Sequence, residues 1–279
     1  MKEIKDNSPI LVIMTCLNLI VLWNYIANGQ TKHGIGYFCF FYAAIITIHF
    51  FTKRISPKNE IVVKEPKREA SISILFALLG ALFLALNFML KSNTLPASLF
   101  TKLPIIAGNF LFTMPIGIFI YLLIKKYKIG QLGLTIKPAT LLLPGVMIWA
   151  LTGLFAIIFY ESGIIWEKGL KEVGGVVGLI FTGIINAALF EEFSRFIIQS
   201  RLEKLLKTTG INILLATIIW AFMHFPMAYN QNQELASTFK YCLQIIPIGF
   251  IWGYLTQRTK SILPSVIAHG LNLWGFQNG

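Results

Sequence analysis

The sequence predicts an all-α, polytopic membrane bundle of eight or nine spanning helices, kinked around an intramembrane polar cavity. Three observations carry that expectation. Of 279 residues, 56% are hydrophobic and only 13% charged, a balance that water-soluble domains of this size do not normally show. The apolar residues gather into nine stretches near the ~20 residues that a helix needs to cross a bilayer core of about 30 Å. They are roughly 9–28, 34–52, 71–92, 103–124, 140–162, 174–200, 209–229, 237–257 and 261–276. The basic residues concentrate in every second loop between them, as membrane topology demands.

In the first stretch Lys2 and Lys5 precede an apolar run, as in a signal peptide. Its length and the lack of a small-residue cleavage site argue for a retained helix. The second loop, 53–70, carries Lys53, Arg54, Lys58, Lys64, Lys67 and Arg68 with Pro57 and Pro66. It divides an N-terminal helix pair with its basic loop (1–70) from a helical membrane core (71–279). Lys125, Lys126, Lys128 and Lys137 fill the fourth loop, Arg201, Lys204 and Lys207 the sixth, and Arg258 and Lys260 the eighth. These loops are expected in the cytoplasm, which with nine spans puts the N-terminus inside and the C-terminus outside. The net charge of +12 is thereby explained without nucleic acid. Pro115, Pro144, Pro226, Pro247 and Pro264 lie in or beside apolar stretches, where neighbouring helices or water must satisfy the freed carbonyls. The ninth stretch is short for a full crossing. Cys16, Cys39 and Cys242 show no disulfide or zinc spacing and read as small packing residues.

One run breaks the apolar pattern. Phe190-Glu191-Glu192-Phe193-Ser194-Arg195 places two carboxylates and a guanidinium inside the sixth stretch, where each charge costs about 2.5–3.5 kcal/mol on insertion scales. Helical spacing puts Glu191, Glu192, Arg195 and Gln199 on one face, with Arg195 in reach of either carboxylate. One negative charge stays uncompensated and calls for a histidinium, a metal ion or a protonated carboxyl. His224 stands one turn after Trp220, just before Phe225-Pro226. His269 shares a helix face with Ser265, able to orient its ring, and Asn272, able to donate a hydrogen bond.

These residues, in this order, resemble the CPBP family of intramembrane proteases, which includes the type II CAAX prenyl endopeptidases and the bacterial Abi proteins. The family signature is a Glu-Glu pair followed by Arg, an aromatic residue four before a His, and a later His followed by a polar residue. The segment Ile129-Gly130-Gln131-Leu132-Gly133-Leu134 resembles the family's entry to its core, so the resemblance covers about 129–279. Two spacings depart from the pattern: Arg195 comes four after Glu191 rather than five, and Asn272 three after His269 rather than four.

The resemblance implies an intramembrane endopeptidase acting on a membrane-associated or lipidated protein or peptide. It assigns Glu191, helped by His224, to activating water, and His269 with Asn272 to binding the oxyanion. Glu192 with Arg195, Trp220 and Gln199 would support them. A divalent metal such as zinc is an open question, with Glu191, His224 and His269 as candidate ligands, since the His-Glu-x-x-His spacing is absent. A proton- or ion-coupled transporter and a non-catalytic membrane scaffold are the alternatives. The expected compartment is a bacterial plasma membrane. Depth poses a test: Glu191 and His269 stand about 13 and 12 Å from their cytoplasmic helix ends, but His224 about 22 Å, at about 1.5 Å per residue. A single site requires that mismatch to vanish.

Overall fold

The computed structural model describes residues 2–53, 61–91, 115–136, 138–159, 166–172, 174–232 and 234–272. Helices dominate and no strand occurs among the described residues. In order they are α1 (Lys2–Ala27), α2 (Thr31–Thr52), α3 (Pro66–Lys91), α4 (Pro115–Ile124), α5 (Leu143–Phe159) and α6 (Trp166–Glu172). Next, α7 (Gly175–Gly178) runs through a π-wound stretch, Leu179–Phe190, into α8 (Glu191–Leu206). The chain closes with α9 (Thr209–Met223), α10 (Phe225–Asn232), α11 (Leu235–Thr259) and α12 (Leu263–Gly270). It is a polytopic helical bundle and an integral membrane protein.

Six described segments are long and apolar enough to cross a bilayer: Pro9–Ala27, Thr31–Thr52, Ala139–Phe159, Gly175–Leu206, Gly210–Gln231 and Leu235–Thr259. Each coincides with an expected stretch. α3 supplies 26 residues at the third, and α4 covers the end of the fourth, whose residues 103–114 lie outside the described ones, as do Arg54, Lys58 and Lys137. α12 has eight residues, about 12 Å of helix. It enters the bundle without crossing it.

Proline accounts for several of these breaks. Pro144, Pro226 and Pro264 stand in the first turns of α5, α10 and α12, where a missing N–H costs no helical bond. The seventh stretch therefore splits into α9 and α10 with His224 at the joint, because Pro226 has no N–H to bond the Phe222 carbonyl and its ring crowds the preceding turn. Of the three cysteines, only Cys242 is buried; Cys16 and Cys39 face outward, contrary to their reading as packing residues.

The basic loops meet at one end of the bundle. Lys64 Nζ donates to Lys125 O at 2.5 Å, Arg258 Nε to Thr52 Oγ1 at 3.0 Å, and Ser261 Oγ to Thr135 O at 2.7 Å. Under this rim lies a second buried ion pair that the sequence did not reveal, Arg201 Nε to Glu69 Oε2 at 3.0 Å. The other Glu69 oxygen accepts Tyr127 OH at 2.6 Å. Arg201, read from sequence as a loop charge, is fully buried, and so is Glu69.

Burial, and after it the bond to Glu69, push the Tyr127 hydroxyl from 10.0 up to about 12. Protonated Tyr127 therefore stabilises the fold fully below about pH 10, and that contribution is lost as pH rises toward 12. Tyr127→Phe is expected to flatten the alkaline decline of melting temperature between those values. An unchanged alkaline limb in a melt-against-pH series would deny Tyr127 this part.

Candidate active site

Glu191 is the first α-wound residue after the π stretch, a winding that often accompanies functional sites. Its Oε2 accepts the Trp220 indole N–H at 2.8 Å and lies 3.5 Å from His224 Nε2. His224 Nδ1 lies 2.9 Å from Trp220 O. A carbonyl only accepts, so Nδ1 carries a proton and Nε2 is turned to the carboxylate.

Glu192 faces the other way. Its Oε2 pairs with Arg195 Nη2 and its Oε1 lies 3.2 Å from His269 Nδ1. The glutamate pair is thus divided between two histidines, and Arg195 reaches Glu192 alone. Trp220 joins the halves, with its ring 4.8 Å from that of His224 and 6.3 Å from that of His269. Trp252 stacks on His269 at 6.0 Å.

The depth mismatch disappears for a simple reason. α8 does not stop near residue 200 but continues to Leu206, because Arg201 finds a buried partner in Glu69. Glu191 and His224 then each stand about fifteen residues, roughly 22 Å, from the tip of the α8–α9 hairpin.

Ser265 and Gln199 take partners away from the histidines. Ser265 leaves His269 alone and bonds Thr256 Oγ1 at 2.8 Å and Trp252 O at 2.9 Å. Gln199 lies outside the Glu–His contacts, with its Nε2 donating to Gly253 O and Gln257 Oε1, both at 3.1 Å, so it ties α8 to α11. Gly253 is bare there because a Cβ would sit 2.5 Å from Arg195 Nη1. Asn272 is 5% exposed; its backbone N–H donates to His269 O at 3.1 Å, and its side-chain amide has no partner among the described residues.

The candidate metal ligands do not form a ligand set. Among the described residues no three His, Cys, Asp or Glu side chains gather around a point. An apolar groove of about 170 Å³ opens between Pro115, Ile116 and Phe119 of α4 and Leu189, Phe190 and Phe193.

Residues 173–274 match the family model described as type II CAAX prenyl endopeptidase Rce1-like. This region is Rce1-like. The resemblance read from the sequence is borne out over it, and it supports a CAAX-type intramembrane protease in general terms. The Rce1-like region includes Glu191, Glu192, Arg195, Gln199, Trp220, His224, His269 and Asn272, while the segment 129–134 precedes it. No curated protein and no solved structure matches the chain. Sequence reasoning overlooked Trp252 inside the Rce1-like region and Trp149 before it, whose indole N–H donates to Leu271 O at 2.8 Å. Both lie in apolar helices, where a tryptophan gives no periodic signal to separate site from core.

Proposed function

We propose that the protein is an intramembrane endopeptidase that hydrolyses a peptide bond of a membrane-associated or lipidated protein, with Glu191 and His224 activating the water. The observation that carries this reading is the Glu191–His224 contact at 3.5 Å, with the same carboxylate oxygen held by Trp220. Water gives a proton to the Glu191–His224 pair as its oxygen bonds to the scissile carbonyl carbon. The pair then passes the proton to the leaving nitrogen as the C–N bond breaks. The free amide of Asn272 and the His269 ring stabilise the oxyanion. The contact of His269 Nδ1 with Glu192 holds the ring in place. The apolar groove beside Phe190 and Phe193 suits a lipid-embedded substrate.

The basic rim belongs in the cytoplasm, with the N-terminus on that side, in a bacterial plasma membrane. The external C-terminus expected from nine spans would depend on residues 273–279, because α12 itself does not cross.

Comparing membrane proteomes of cells carrying the wild type and Glu191→Gln tests the activity. A protease leaves an uncleaved precursor in the variant. Loss of pH-dependent flux without a precursor would point to a transporter, and loss of the protein itself to a scaffold. Trp220→Phe keeps the ring but removes the N–H on Glu191. It is expected to slow cleavage of that precursor by about 10- to 100-fold, the worth of a hydrogen bond to a charged group, and wild-type cleavage rates would remove Trp220 from the machinery.

A further inference from the structure

α12 carries His269 and leads into Asn272, yet with eight residues it is too short to hold its own position; isolated helices under about 12–15 residues are marginal. Its placement must come from its neighbours. The Ile262 N–H donates to Gly133 O at 3.0 Å just before its start, and Ser265 ties its first turn to α11. Gly270 packs backbone to backbone on the π stretch: a Cβ there would lie 3.0 Å from Ile184 Cα.

α5 is different in kind, because it holds α12 at both ends. At the start, Gly145 abuts the Pro264 backbone, so that a Cβ would stand 2.8 Å from Pro264 Cα with the Pro264 carbonyl oxygen closer still. At the far end, the Trp149 indole N–H binds Leu271 O at 2.8 Å, the carbonyl of the peptide that leads directly into Asn272. Gly145 and Trp149 are four apart and share one helix face. The Trp149 bond therefore fixes the plane of the Leu271–Asn272 peptide, and the Gly145 contact fixes how closely α12 approaches α5.

We infer that α5 is the alignment platform of the site, and that Gly145 and Trp149 are positioning residues that set His269 against Glu192 and fix the peptide leading into Asn272. Their effect on cleavage rests on the proposed role of His269 and Asn272 as oxyanion donors; their effect on His269 does not. α5 lies before the matched region, so the Rce1-like segment takes part of its active geometry from a helix outside it. α2 packs along α5 in turn, with Gly36 so near that a Cβ would lie 2.6 Å from Phe159 Cβ. The N-terminal pair thereby braces the platform.

The chain has four histidines, so ring-labelled histidine NMR of the full-length protein in nanodiscs can follow each one. Trp149→Phe is expected to move the His269 ring resonances and leave those of His224 in place. It should also lower cleavage of the precursor by about five- to tenfold, the worth of one neutral hydrogen bond. Gly145→Ala should move His269 in the same way. Leu154→Ala, on the outward face of α5, should move neither ring. An unmoved His269 in Trp149→Phe overturns the inference, and so does an equal movement of both rings, which would mark a general loss of packing. A His269 shift where Glu191→Gln accumulates no precursor would uphold the platform and refute the protease.

Discussion

Glu191→Gln is expected to lower the cleavage rate in reconstituted vesicles by about 10²- to 10⁴-fold, the usual contribution of a general base, while the protein keeps its melting temperature. Glutamine matches glutamate in shape, and its carbonyl still accepts the Trp220 N–H. What it cannot do is take a proton from water. The fold should tolerate the change because glutamine keeps the Trp220 bond and neither side chain is fully packed, with Glu191 30% exposed and His224 17%. Cleavage and thermal melting measured on one preparation decide the matter: retained cleavage removes Glu191 from the chemistry, and a collapsed melting temperature makes it structural.

Glu192→Gln should do the reverse to stability. Glu192 and Arg195 have no solvent exposure at their side chains, and deleting one partner of a buried ion pair costs about 3–5 kcal/mol. Arg195 would stay buried, with Nε and Nη1 already lacking partners among the described residues. The double variant Glu192→Leu/Arg195→Met is expected to recover most of that loss, since apolar replacement of a whole buried pair is often neutral. It should remain inactive, because His269 would have lost its carboxylate. Equal melting temperatures for the wild type and Glu192→Gln would show that the pair carries no stability.

The company of Glu191 with His224 came only with the family resemblance, whereas the helical class, six of the spans and the reach of Arg195 to Glu192 were legible in the residues themselves. Each rests on a short-range signal: apolar run length, helical spacing, or a charge where charges are costly. Glu69 was hidden because it sits in a basic loop, where a carboxylate looks like ordinary surface. Its partner Arg201 lies 132 positions away, and no periodicity reports such a distance. The end of α8 was misplaced for the same reason, as a polar residue was taken to mark the membrane edge. The turn of His269 toward Glu192 depends on how α12 is cradled, which is a property of four helices and not of the local pattern.

The two buried arginines of α8 also give the chain an order of assembly. Emerging from the ribosome, α8 pairs Glu192 with Arg195 within itself, but Arg201 takes its carboxylate partner from another helix. Glu69 has by then been made and can receive Arg201. His269 is still 77 residues from Glu192 and has yet to be synthesised. The helix can thus be secured at its rim before α12 reaches its centre. Until then Glu192 waits without its histidine, and the pairing of both glutamates is incomplete until α12 has been made.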